Sequence, residues 1–198
     1  MIKTIIFDLG NVIVKVYETK VFRRLASASG KNLKYIEEYY NNSYKALENG
    51  AISSMELHAK FVKDLNLKMN FEEFKKAWCD IFSLNKDVEK VIKKLKKDFR
   101  LILLSNTDNM RFQYIKNKYK ILDAFDDYVL SFEVGCRKPN PLIFLNAIKK
   151  ANTLPFNCAY FDDIPEFIYV ARLMGIKAFQ FKDYKKLVDD LRKLDIKI

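Results

Sequence analysis

The chain opens MIKTIIFDLGNVIV (residues 1–14), and the reading of Thr4–Asp8 within it decides the fold. Thr4, Ile5, Ile6 and Phe7 lack the polar alternation of a half-exposed strand. They read instead as a strand buried on both faces, as in a parallel sheet. The run ends on a bare carboxylate, Asp8, followed at once by Leu9, Gly10 and Asn11. An isolated carboxylate is costly to bury without a partner. At the carboxyl end of a strand in an α/β sheet, however, it sits where ligands bind. Asp8 is therefore a candidate catalytic or metal-binding residue.

Four more apolar runs share this character: RLILLSN, DYVLSF, CAYFDD and IKAFQF. Helical patterns separate the later ones. One starts at Pro141, with Ile143, Phe144, Ala147 and Ile148 at helical spacing; another starts at Pro165 and stops at Gly175. Proline at the first helical position and glycine just past the end are the expected punctuation. Asp183 is placed to cap a last helix bearing Leu187, Leu191 and Leu194. Between the first two strands the pattern changes. Residues 16–86 hold no strand-like run but about four helical ones, with N-terminal capping signals at Ser53–Glu56 and Asn70–Glu73. The expected architecture is α/β: a Rossmann-like three-layer core around a central parallel sheet (residues 1–15 and 87–198) with an inserted all-helical cap (residues 16–86).

Hydrophobic residues make up 49% of the 198 and charged residues 31%, which fits a globular chain able to bury a sizeable core. The formal charge of +11 favours anionic partners, whether nucleic acid, an anionic membrane or phosphorylated metabolites. The lysines are spread along helical segments and no RNA-binding or zinc-finger signature accompanies them, so no nucleic-acid partner is expected. Cys79, Cys136 and Cys158 lie far apart and form no disulfide framework, which points to a reducing cytoplasmic location. No membrane span is expected, since no apolar stretch is long enough. Monomer and homodimer both stay open.

Polar residues recur where the strands end: Asp8, then Ser105-Asn106-Thr107, then Gly135-Cys136-Arg137-Lys138-Pro139, then Asp162-Asp163. Parallel strands bring all of these to one edge of the sheet. The set answers the needs of phosphoryl transfer. A carboxylate can attack phosphorus and split the reaction into two steps. Three carboxylates together call for a hard cation, and oxygen ligands suit Mg²⁺. A lysine and hydroxyl or amide donors would neutralise the phosphoryl oxygens.

In order and at strand ends, these motifs resemble the haloacid dehalogenase (HAD) superfamily from end to end. FDLGNVIV is similar to its first motif, LLSNT to its second, GCRKPNPLIF to its third and YFDD to its fourth. The helical insertion resembles the C1-type cap of subfamily I. The combination most resembles the small bacterial sugar-phosphate phosphatases, including the α-D-glucose-1-phosphate phosphatases. The resemblance implies Asp8 as nucleophile and Mg²⁺ ligand, with the Gly10 carbonyl as a second ligand. It implies Ser105 and Asn106 as phosphate holders, and Lys138 as a bridge between phosphate and nucleophile. Asp163 would be the direct acidic metal ligand and Asp162 a nearby direct or water-mediated one.

Two positions depart from the family pattern. Most family phosphatases carry a general acid two positions after the nucleophile, where this chain has Gly10. Phe167 stands where a further Asp or Asn often supports the metal. The leading expectation is a Mg²⁺-dependent phosphatase acting on a small phosphorylated metabolite through an aspartyl phosphate. A catalytically weak family member that binds a phosphorylated ligand or a partner, and a metal-free dehalogenase, are the alternatives. Arg137 is expected to be structural, His58 to pack or lie on the surface, and most of Tyr35, Tyr39, Tyr40 and Tyr44 to pack the cap against the core.

Overall fold

Five parallel strands, in spatial order β5-β4-β1-β6-β7, form the sheet of the computed structural model, which describes residues 1–198. They are β1 (Thr4–Phe7), β4 (Arg100–Ser105), β5 (Asp127–Leu130), β6 (Cys158–Asp162) and β7 (Lys177–Gln180). Each expected run holds one of these strands, trimmed by a residue or two at its ends; in the largest change Ser131 and Phe132 leave β5 and begin a one-turn helix, α7 (Ser131–Val134). Successive side chains point to opposite faces of a strand, and here both faces are covered. Ile5, Phe7, Leu101, Leu103, Ala159 and Phe161 join one hydrophobic cluster; Ile6, Ile102, Leu104, Cys158 and Tyr160 join a second. This is why the strand sequences read as continuous apolar runs.

The helices that cover the sheet divide accordingly. α5 (Lys86–Leu95), α6 (Asn109–Lys118) and α10 (Tyr184–Arg192) bury apolar faces in the first cluster. α8 (Pro141–Ala151) and α9 (Pro165–Leu173) bury theirs in the second, and both begin with proline in the first turn. The capping expected at Asp183 is present, its side chain accepting from the Lys186 N–H.

Between β1 and β4, ahead of α5, the chain inserts four helices: α1 (Glu18–Ser29), α2 (Leu33–Glu48), α3 (Ser54–Leu65) and α4 (Phe71–Cys79). Complete capping boxes at Ser53/Glu56 and Asn70/Glu73 start α3 and α4. One feature corrects the expected all-helical insert, since residues 16–86 do contain strand. β2 (Val14–Val16) and β3 (Phe82–Leu84) pair antiparallel, Val14 opposite Leu84 and Val16 opposite Phe82, and form a ribbon at the base of the helical insert. The insert is thus four helices carried on two short strands. Three-residue strands leave too short a pattern to stand out from helical surroundings. No helix is long and apolar enough to cross a membrane.

Candidate active site

The strand register sets the site. Phe7 lies opposite both Leu103 and Phe161, so Asp8, one residue on, emerges between the ends of β4 and β6. Its N–H donates to the Phe161 carbonyl at 3.0 Å, which extends the ladder by one step and fixes the carboxylate's direction. Lys138 reaches into the same gap from the loop between α7 and α8. Its Nζ donates to Asp8 Oδ1 at 2.7 Å, Asp162 Oδ2 at 2.6 Å, the Leu104 carbonyl at 3.2 Å and the Tyr160 hydroxyl at 3.3 Å. The Phe167 ring lies 5.1 Å from this ammonium, so the residue at the departing position packs an aromatic face against the lysine.

Lys138 and Asp162 are almost wholly buried, and Asp8 is 7% exposed. One cation therefore faces two carboxylates out of water, with Asp163 half-buried beside them. Burial raises the Asp8 carboxyl well above the ordinary range, Lys138 opposes the shift, and Asp162 and Asp163 add to it. Burial also raises Asp163, with Asp162 adding to it. Burial works against the Lys138 charge, yet Asp8 and Asp162 hold its pKa above the usual lysine value. An excess of buried negative charge of this kind is stabilised by a bound cation.

The donor set fits such a cation. Carboxylate oxygens of Asp8, Asp162 and Asp163 lie within 4.8 Å of one another. The two adjacent aspartates differ in freedom. Asp162 Oδ2 accepts from Lys138 and from the Tyr160 hydroxyl, and Oδ1 accepts from the Ile164 N–H at 2.8 Å. Asp163 Oδ2 accepts only from Asn11 Nδ2, at 3.2 Å. Asn11 sits in the left-handed region (φ 55°), a conformation Asn tolerates, and so turns its amide back over the site.

Ser105, 2% exposed, ends β4, and its hydroxyl contacts only the Asn106 carbonyl, at 3.4 Å. Asn106 is engaged on both sides of its amide: Oδ1 accepts from the Lys138 N–H at 2.7 Å and Nδ2 donates to the Lys138 carbonyl at 3.0 Å. Its side chain thus braces the lysine loop, a use not visible from the motif.

Above these residues a cavity of about 570 Å³ opens between sheet edge and insert, walled by Asp8, Gly10, Asn106 and Lys138 below and by Glu18, Glu37 and Glu48 above. A smaller one of about 100 Å³ adjoins Gly10, Ser105, Asn106, Glu48 and Arg111. Arg137, expected to be structural, lines the larger cavity and pairs with Glu48, its Nε 2.6 Å from Oε2. Nothing in the sequence singles out Glu48, at the end of α2, because a terminal helix glutamate reads as a solvated charge. The same holds for Arg111, which carries no sequence signal of its own. It is 3% exposed, donates to the Tyr44 hydroxyl at 2.9 Å, and stacks within 6 Å of Tyr40, Tyr44, Trp78 and Phe82. Its ion-pair partners are Glu18 and Asp108, each at 3.7 Å. Of the four tyrosines expected mostly to pack the insert against the core, only Tyr40 and Tyr44 do so; Tyr35 is exposed, and Tyr39 packs within the insert on Phe61 and donates to Asp64. His58 lies elsewhere, its Nε2 2.9 Å from the Met69 carbonyl and its ring against Phe71 and Phe74.

A parallel α/β sheet with three convergent carboxylates and a buried lysine beyond its strand ends defines a hydrolase-type site. The chain belongs to the haloacid dehalogenase-like hydrolase family, whose pattern matches residues 2–175. It is 29% identical over 193 residues to the D-ribitol-5-phosphate phosphatase of Bacteroides thetaiotaomicron, covering 91% of this chain and 92% of that one. It is 24% identical to a phosphorylated carbohydrates phosphatase of Thermotoga maritima, covering 88% and 82% respectively. Among solved structures, a HAD family enzyme of B. thetaiotaomicron in complex with magnesium and inorganic phosphate superposes with a TM-score of 0.83, at 23% identity and over 92% and 95% of the two chains.

Proposed function

We propose that the protein is a Mg²⁺-dependent phosphatase of a small phosphorylated metabolite, a sugar or sugar-alcohol phosphate, working through an aspartyl phosphate on Asp8. The observation that carries this reading is the contact of the Asp8 carboxylate with Lys138 Nζ at 2.7 Å, beside Asp163 and at the floor of an open cavity. The relatives named as phosphatases of D-ribitol 5-phosphate and of phosphorylated carbohydrates support the substrate class.

The roles follow from the chemistry of each group. Asp8 attacks phosphorus through the oxygen not held by Lys138. Lys138 orients that carboxylate and balances the charge of the phosphoryl oxygens. The Ser105 hydroxyl and the backbone at Asn106 hold the phosphate. Asp8, the Gly10 carbonyl and Asp163 hold Mg²⁺, with Asp162 behind them as the buried partner of Lys138. The ion supplies positive charge to the phosphate and offsets the carboxylates. Residues 1–15 and 87–198 form the catalytic core and 16–86 the cap that closes the cavity. The three free cysteines accord with a cytoplasmic location.

The test is phosphate release from a panel of phosphorylated sugars and sugar alcohols, with Mg²⁺ and with EDTA, by wild type and Asp8→Asn. The amide is nearly isosteric but a poor nucleophile. A loss of at least about 10³-fold in a folded Asp8→Asn protein is expected, as for removal of other catalytic nucleophiles. Full activity in EDTA, or in that variant, would refute the reading.

A further inference from the structure

Position 10 raises a chemical problem: an alkoxide leaving group needs a proton, and glycine has none to give. The gap is open. A Cβ built on Gly10 would meet Val16 Cγ2 at 3.5 Å and Asp8 Oδ2 at 3.9 Å, both ordinary contacts. The large cavity and the small one, of about 100 Å³, both have Gly10 and Glu48 as walls. Glu48 is 5% exposed. Its Oε2 lies 2.6 Å from Arg137 Nε without the alignment of a hydrogen bond, and neither atom has another hydrogen-bond partner. The other two carboxylates of this wall are placed differently. Glu37 is exposed, and Glu18 is tied to the Tyr40 hydroxyl at 3.0 Å and faces Arg111.

We propose that Glu48 supplies the proton to the leaving oxygen in place of the acid absent at position 10. The proposal rests on the aspartyl-phosphate reading above. In the first step the Asp8–phosphorus bond forms, the bond from phosphorus to the leaving oxygen breaks, and the Glu48 carboxylic acid transfers its proton to that oxygen. In the second, water attacks phosphorus, the Glu48 carboxylate takes a proton from it, and the bond to Asp8 breaks. Inorganic phosphate leaves, and both carboxyl groups return to their starting states. The groups facing Glu48 are Arg137 from the α7–α8 loop, Arg111 and Asp108 from α6 and its N-cap, and Glu18 from α1. Burial outweighs the two arginines and raises the Glu48 carboxyl to about 7, so it carries a proton at neutral pH to an extent an exposed glutamate does not.

The experiment measures alcohol release in a single turnover, from unsubstituted alkyl phosphates through phenyl to dinitrophenyl phosphate. Wild type should vary little along the series, because the proton compensates for poor leaving groups. Glu48→Gln should lose about 10²–10⁴-fold on alkyl phosphates, the usual worth of such transfer, and less than about 10-fold on dinitrophenyl phosphate. Its alkyl-phosphate rate should also lose the decline toward alkaline pH. Gly10→Asp in the Glu48→Gln background should restore the alkyl phosphates selectively. Equal losses across the series, or a steep series in wild type, would overturn the assignment. The wild-type series decides this even if Glu48→Gln fails to fold. Undiminished release by Asp8→Asn would instead strike the aspartyl-phosphate reading itself.

Discussion

Asn106 clasps the backbone of Lys138 from both sides, accepting from its N–H at 2.7 Å and donating to its carbonyl at 3.0 Å, and so ties the end of β4 to the loop that delivers the lysine. Removing the amide leaves two backbone groups without partners. Asn106→Ala should therefore cost about 1–3 kcal/mol in urea denaturation. It should lower kcat more than it raises KM, because the displaced group is the lysine Nζ. A variant as stable and as active as wild type would show the brace to be dispensable.

Asp162 and Asp163 are neighbours with opposite sensitivities. Asp162→Ala strands the buried Lys138 ammonium beside a single carboxylate, a change that costs about 3–5 kcal/mol when a buried pair is broken. Asp163→Ala removes a half-buried carboxylate held only by Asn11 and should leave stability in EDTA nearly unchanged. Mg²⁺ at a hundredfold excess over its Kd stabilises a protein by about 2.7 kcal/mol. That thermal shift should vanish in Asp163→Ala and persist in part in Asp162→Ala. Equal shifts in the two variants would contradict this order.

Glu48 gives stability a pH dependence opposite to that of a stabilising ion pair. Its carboxyl is raised to about 7 in the folded protein, chiefly by burial, against an unfolded value of about 4.3. The native state thus holds the proton more tightly than the unfolded chain. Its contribution is full below the unfolded pKa and is lost as pH rises through the folded one. Wild type should accordingly lose stability relative to Glu48→Gln between about pH 4 and about pH 7. Chemical denaturation of both proteins on either side of this window checks the sign; a gain for wild type would mean that Arg137 outweighs burial.

Arg111 belongs to α6, but the rings around it come from α2, α4 and β3. Arg111→Ala should cost about 3–5 kcal/mol, because it leaves Asp108 buried without its cation and opens a hole among the aromatics. Arg111→Lys should recover little, since an ammonium cannot reproduce a planar stack between rings. Thermal unfolding with the intrinsic fluorescence of Trp78 as probe reports the contact directly. Near-complete rescue by lysine would mean that charge alone matters there.

The sheet was legible because strands buried on both faces are written as uninterrupted apolar runs, and because the register then forces Asp8, Ser105 and Asp162 to one edge. Helix starts at Ser53, Asn70 and Asp183 carry their own capping side chains, and those at Pro141 and Pro165 are marked by a proline in the first turn. What escaped the sequence were features defined by tertiary contact. The β2–β3 ribbon is too short to show a period. Glu48 and Arg111 look like the many exposed charges of a basic chain, and only the meeting of insert and core buries them. Asn106 illustrates the same limit within a recognisable motif: nothing in Ser-Asn-Thr tells that the amide turns toward the lysine backbone.

The ribbon has a further consequence. Val16 and Phe82 face one another across it, so the chain that leaves the core at one returns at the other, a strand spacing of about 5 Å away. To the sheet, everything between them is the tip of a hairpin. It adds no strand, shifts no register, and begins a few residues beyond Asp8. The roof of the cavity is therefore interchangeable in a way its floor is not: a different set of helices could be grafted between Val16 and Phe82 while the carboxylates beneath keep their places.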